Sequence, residues 1–159
     1  MALGSNLAGA YGSSEALLEE ALARFPSVGL KILERSGWWR SAAWPDLNGP
    51  EYRNGVALVE AGAGPAEVLA ALLRLEADMG RERAGRNAAR TLDLDLIAHG
   101  RRILDGPGLS LPHPRAHERL FVMGPLAGIA PAWRHPVLGR TAADLAAAAT
   151  VGTDAAPVA

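Results

Sequence analysis

The chain contains no cysteine. That excludes a disulfide framework, a thiolate metal centre and a cysteine nucleophile, and it fits a cytoplasmic protein. An excess of one charge sign is also missing. Sixteen basic residues stand against seventeen acidic ones, a formal net charge of −1. Nothing global therefore draws the chain to a nucleic acid or to an anionic membrane. Lysine is nearly absent, with Lys31 alone among the basic residues. Beside so much alanine, the arginine bias reflects GC-rich coding and is weak support for phosphate binding. Long hydrophobic runs are lacking as well. The uncharged stretch 120–133 is broken by Gly124, Pro125, Gly128 and Pro131 and is too short to cross a bilayer. Residues 1–14 have neither the basic start nor the apolar centre of a signal peptide. Aromatic residues make up only 5%, so Trp38, Trp39, Trp44, Tyr52 and Phe121 stand out, most of them expected as packing residues.

What is present suits a globular protein. At 159 residues, 49% apolar and 21% charged, the chain is long enough to bury a core. One domain is expected over 1–149, with a loose tail over 150–159 that is small and polar. Ala2-Leu3 reads as a very short strand running into Gly4-Ser5-Asn6. Ser13 or Ser14 can cap a helix with Glu15 in its first turn. Leu17, Leu18, Ala21, Leu22 and Phe25 form its apolar stripe, and Pro26 closes it. Residues 28–40 read as extended, 41–51 as a loop, and Tyr52 to Glu60 as a strand. A second helix starts at Pro65, carries Val68, Leu69, Leu72, Leu75 and Met79 on one face, and ends at Gly80. Thr91 to His99 is the clearest strand, and Gly100 opens a hairpin to Ile103 and Leu104. A helical stretch follows Pro112-His113-Pro114 and ends near Pro125. A last helix starts at Thr141, with Asp144 completing a capping box. The order β-α-β-β-α-β plus extras predicts an α+β fold, a ferredoxin-like sandwich in which an antiparallel sheet carries two helices on one face.

The strongest chemical signal is Arg90-Thr91-Leu92-Asp93-Leu94-Asp95-Leu96. On a strand the leucines point to the core, and Asp93 and Asp95 point the other way, about 7 Å apart. Two carboxylates so placed repel unless a cation lies beside them, and hard oxygen ligands suit Mg²⁺. The bland alternative is a solvated strand face. Arg81, Arg83, Arg86 and Arg90, offset by Glu82, lie just before this strand. Acids beside a cationic loop suit a metal–polyphosphate complex, although a solvated basic loop accounts equally well for Arg83 and Arg86. Gly4-Ser5-Asn6 can offer backbone amides but is by itself a common turn. No Walker A or dinucleotide fingerprint occurs. His113 is held between two prolines, which can aim its imidazole at a phosphate, although by itself an ordinary loop histidine accounts for it at least as well. His113 and His117 lack a third zinc ligand.

These residues, in this order, resemble the 6-hydroxymethyl-7,8-dihydropterin pyrophosphokinase family. The resemblance runs from Gly4-Ser5-Asn6 through Tyr52-x-Asn54, Glu76, Gly80-Arg81, the Arg90–Asp95 motif, Leu111-Pro112-His113-Pro114, Arg119-x-Phe121 and Pro125-Leu126 to about Asp144. It implies a ferredoxin-like fold and an enzyme of folate biosynthesis that moves the terminal diphosphate of ATP onto a pterin alcohol. It implies that Asp93 and Asp95 ligate two Mg²⁺ ions, and that Arg81 and Arg90 complete the catalytic set on the phosphates. Glu76, Leu96, Ser110, His113 and Arg119 would contact ATP. Tyr52 and Phe121 would sandwich the pterin, Asn54 would bond its edge, and Ser41, Ala42 and Trp44 would supply more of its wall. ATP and a pterin are then the partners, with no nucleic acid, membrane or protein partner expected.

Four departures from the family pattern are visible. Asn87-Ala88-Ala89 replaces a Trp-Gly-Pro, Ser41-Ala42 replaces a Thr-Pro, and Gly108 stands near a usual arginine. The chain also begins only three residues before Gly4, where members carry a longer first strand, so a start further upstream is expected. The competing reading from another class is a non-catalytic ferredoxin-like nucleotide-binding module.

Overall fold

The computed structural model describes residues 1–43, 46–80 and 91–159. Strand β1 (Ala2–Ser5) leads through a 3-10 turn at Gly9–Tyr11 to helix α1 (Ser14–Arg24). Ser13 caps α1 by accepting the Ala16 amide at 3.0 Å, and Glu15 sits near the positive end of the helix dipole. Pro26 does not end the helix abruptly. It lies within a 3-10 turn, Phe25–Val28, that tightens the last residues before Gly29.

The expected extended run over 28–40 is two strands, β2 (Leu30–Arg35) and β3 (Trp39–Ser41). A register shift between Ile32 and Glu34 bends the first, and Ser36 occupies the break, exchanging bonds with Val56. Strand β4 (Tyr52–Ala61) is the longest, and α2 (Pro65–Asp78) follows with Pro65 in its first turn. Strand β5 spans only Asp93–Asp95, much shorter than the Thr91–His99 expected, because its pairing with β1 ends where Ala2 opposes Asp95.

The hairpin also lies further along than Gly100 suggested. It consists of β6 (Leu104–Gly106) and β7 (Leu109–Leu111), a separate two-stranded sheet, while His99–Arg102 forms its own turn. Helix α3 (Leu120–Ile129) runs through Pro125 instead of ending there. Pro125 denies one amide to the helix ladder, but Val122, Met123, Pro125 and Leu126 are all buried, and that burial outweighs one missing bond. Helix α4 (Ala142–Ala147) has the expected capping box of Thr141 and Asp144.

The tail expected to fray is packed. Residues Ala156–Pro157 form β8 and pair with β3 at Arg40 and Trp39. The chain's small residues gave no sign of this, since the tail is held mainly through its backbone.

The main sheet is antiparallel, in the order β5-β1-β4-β3-β8, with β2 pairing the second half of β4. The core β-α-β-β-α-β order and the central β1 and β4 give the ferredoxin-like arrangement. One face of the sheet, including Leu3, Ala57 and Leu94, packs on α1, the 3-10 turn after it and α2 through Leu17, Leu18, Phe25, Val68 and Leu72. The opposite face, including Ala2 and Val56, is covered by α3 and α4 through Val122, Met123, Leu126 and Leu145. Helices thus flank both faces, the C-terminal pair being added to the expected one. Among the described residues no helix is long and apolar enough to cross a membrane.

Candidate active site

Antiparallel register decides which side chains share a face. Gly4 opposes Asp93 on one side and Asn54 on the other, and Asn54 opposes Trp39. Ala2 opposes Asp95 and Val56. Asp93, Asp95, Asn54 and Trp39 therefore project from the face that α3 covers, together with Tyr52 and Ser41, which oppose each other across β4 and β3. The leucines of the motif take the other parity: Leu92, Leu94 and Leu96 are 0%, 2% and 5% exposed in the first apolar cluster. The expected division of that strand into a core face and a carboxylate face is what the structure has. It also means that the Leu96 side chain belongs to the core, so a nucleotide could reach that residue only through its backbone.

Gly4-Ser5-Asn6 is not an open loop. Gly4 and Ser5 are in β1, and the Asn54 carboxamide oxygen lies 3.4 Å from where a Gly4 Cβ would stand. Ser5 donates to the Leu7 carbonyl at 3.0 Å and Asn6 to the Pro50 carbonyl at 3.3 Å. Asn6 thereby ties the end of β1 to the loop that precedes Tyr52.

At one end of this face, Asn54 Nδ2 donates to Ser41 Oγ at 2.9 Å, both side chains being buried. The bond fixes the Asn54 amide. Phe121, in the first turn of α3, packs on the second cluster, and the Arg119 guanidinium lies over its ring at 5.7 Å. Trp39 lies against α3 at Gly124, where a Cβ would come within 2.5 Å of the indole. That glycine lets the helix approach the sheet closely enough to wall the site.

At the other end stand the ionisable groups. His113 follows a cis Leu111–Pro112 bond, and its amide donates to the Ile97 carbonyl at 2.8 Å, which anchors it beyond β5. Burial lowers the His113 pKa, and the positive charge of Arg119 lowers it further, while Asp93 acts in the opposite sense. Its Nδ1 accepts the Arg115 amide at 3.2 Å, so the neutral ring carries its proton on Nε2. Burial likewise lowers the Arg119 pKa, opposed by Asp95 and Asp93. The two aspartates, His113 and Arg119 thus share one electrostatic neighbourhood.

Glu76 is 2% exposed and its Oε1 accepts the Leu94 amide at 2.7 Å. It supports the carboxylate strand from behind, a role the sequence did not suggest. Ser110 lies on the separate hairpin opposite Asp105. Trp44, Arg81, Arg83, Arg86, Arg90 and the Asn87-Ala88-Ala89 stretch lie outside the described residues. Among the described residues no group of three or more His, Cys, Asp or Glu converges as a metal cage. Asp93 and Asp95 instead offer two hard oxygen ligands, a set suited to a divalent cation that keeps water and shares phosphate oxygens.

Residues 1–131 match the sequence profile described as 7,8-dihydro-6-hydroxymethylpterin-pyrophosphokinase. A 2-amino-4-hydroxy-6-hydroxymethyldihydropteridine pyrophosphokinase of Synechocystis sp. is 41% identical over 125 residues, covering 78% of this chain and 64% of that protein. Its counterpart in Pseudomonas aeruginosa is 38% identical over 136 residues, covering 86% of this chain and 82% of that protein. A folic acid synthesis protein of Pneumocystis carinii is 32% identical over 139 residues, covering 87% of this chain but 18% of that protein. The chain accordingly spans less than two thirds of the length of some relatives. With residues 1–131 matched and a relative 38% identical over most of both chains, the chain belongs to the 7,8-dihydro-6-hydroxymethylpterin-pyrophosphokinase family.

Proposed function

We propose that the protein transfers the terminal diphosphate of ATP to the hydroxymethyl group of 6-hydroxymethyl-7,8-dihydropterin and releases AMP, a step of folate biosynthesis set in the cytoplasm. The observation that carries this reading is the single sheet face bearing Asp93 and Asp95 together with Asn54, Ser41 and Tyr52. A metal-binding edge and an aromatic, hydrogen-bonding pocket on one face suit a reaction between a polyphosphate and a flat heterocycle.

Asp93 and Asp95 would hold Mg²⁺, two ions by the family resemblance. When bound, Mg²⁺ neutralises phosphate charge and lowers the pKa of an alcohol beside it. The remaining work falls to the chain. Tyr52 and Phe121 would stack on the two faces of the pterin, Asn54 would bond its edge, and the 41–44 loop would close its wall. His113, neutral at pH 7, would donate from Nε2 to a phosphate oxygen, and Arg119 would add a fixed positive charge. Arg81 and Arg90 are assigned to the phosphates on the sequence motif, and Glu76 to holding β5. The pterin oxygen then forms a bond to the β-phosphorus as the bond from that phosphorus to the bridging oxygen breaks. AMP leaves with that oxygen, and the alcohol proton passes to solvent. Such a reaction needs positioning and charge stabilisation more than covalent catalysis.

The test is AMP release from ATP and Mg²⁺, with and without the pterin. AMP formed only with the pterin supports diphosphoryl transfer. ADP in its place, or no turnover by a folded protein, overturns it.

A further inference from the structure

Residues 150–158 cross the molecule from the start of α3 to β3. At one end, the Thr150 and Val151 amides both bond the Glu118 carbonyl, at 3.0 and 2.9 Å, and the Leu120 amide bonds the Val151 carbonyl at 2.9 Å. These bonds bracket Arg119. Next, Gly152 takes φ +65°, and a Cβ there would lie 2.4 Å from Phe121 Cδ1, so the aromatic ring rests directly on the backbone. Then Asp154 Oδ2 accepts the Ala42 amide at 2.6 Å. At the far end β8 pairs with β3, and the Val158 amide bonds the Trp38 carbonyl at 2.9 Å. The matched family profile stops at residue 131, so this segment lies beyond it.

We propose that the 150–158 segment is a strap that sets the width of the pterin pocket, with Asp154 as a positioning residue for the loop at Ser41–Ala43. This rests on the pterin reading above. The two walls of that pocket, Phe121 and the 41–43 loop, come from different elements. The strap touches both, Phe121 through Gly152 and the loop through Asp154. A carboxylate bonding an amide is a charge-assisted contact and holds geometry more firmly than a neutral one. It holds Ala42 next to Ser41, whose hydroxyl in turn fixes the Asn54 amide. Asp154 therefore acts on the ligand through the loop without touching it.

The experiment compares the full chain with Asp154→Ala and Asp154→Asn, using three readouts. Amide exchange at Ala42 reads the strap's hold directly and needs no ligand. Fluorescence titration with 6-hydroxymethylpterin, in the presence of a non-hydrolysable ATP analogue, reads the pocket. Titration with Mg²⁺ and the analogue alone reads the nucleotide side. In Asp154→Ala, exchange at Ala42 should accelerate and pterin affinity should fall about tenfold, the scale of one charge-assisted bond. Nucleotide affinity should stay within about twofold, a difference small beside one such bond. Asp154→Asn keeps a carbonyl acceptor without the charge and should recover only part of the loss. Unchanged exchange overturns the strap, as does faster exchange with unchanged pterin affinity. Equal weakening of both ligands overturns it in favour of general loosening. A wild-type chain that binds nucleotide but no pterin overturns the site reading itself, while the exchange result separately reports whether Asp154 holds the loop.

Discussion

The buried carboxylate of Glu76 accepts the backbone amide of Leu94 at 2.7 Å. Leu94 separates Asp93 from Asp95, so a side chain on α2 holds the strand from which both candidate metal ligands project. Glu76→Ala removes this acceptor and leaves a buried amide short of its partner, a cost of about 1–3 kcal/mol. The thermal midpoint should fall by roughly 2–4 °C for each kcal/mol in a chain of this size. Glu76→Gln retains a carbonyl oxygen and should lose less. Thermal unfolding of both variants decides this, and equal midpoints for Glu76→Ala and wild type would show that the bond carries no stability.

Asp93 and Asp95 belong to neither apolar cluster. Replacing one by asparagine should leave the fold intact while AMP formation drops by about 10²-fold or more, the scale of losing an electrostatic stabiliser. Mg²⁺-dependent ATP binding should weaken in the same variants. ATP binding untouched in Asp95→Asn would remove Asp95 from the metal site.

His113 should titrate below its ordinary 6.5, first because it is buried and then because of Arg119. Arg119→Ala removes the second cause, so the pKa should rise. Because the folded value is the lower one, the unfolded chain takes up this proton first as pH falls. The residue then costs no stability above about pH 6.5, its ordinary value, and an increasing amount from there down to its folded pKa. An NMR titration of the imidazole in both proteins checks the shift. A downward move in Arg119→Ala would contradict the arrangement.

Gly124→Ala should destabilise the protein by about 1–3 kcal/mol, the usual cost of overpacking, since its Cβ would meet the Trp39 indole at 2.5 Å. The change also pushes α3 away from the sheet, so pterin binding should weaken more than nucleotide binding. Urea unfolding and the two ligand titrations read these effects separately.

Local rules made much of this legible. The alternation of Leu92, Leu94 and Leu96 with Asp93 and Asp95 survives intact, because burying the leucines leaves the carboxylates one face to occupy. Of the two serines that could cap α1 it is Ser13 that does, and Thr141 caps α4 as its spacing to Asp144 suggested. What sequence concealed depends on partners distant along the chain. Pro125 reads as a stop, and only the packing of its neighbours shows why α3 continues. The bond from the Leu94 amide to Glu76 joins two elements that no spacing relates. Asp154 and Gly152 are unremarkable in a run of small residues, and their meaning comes from Ala42 and Phe121. No periodicity or spacing could have signalled either one.

Ala42 and Asp154 are 112 residues apart in sequence. Contacts of such separation form late and slow folding. A nascent chain therefore has most of the sheet available before the residues that cover β3 leave the ribosome. During that interval β3 is an edge strand with open amides and carbonyls, the kind of surface that recruits another chain. Pairing with β8 protects that edge, so shortening the C-terminus should promote aggregation during synthesis.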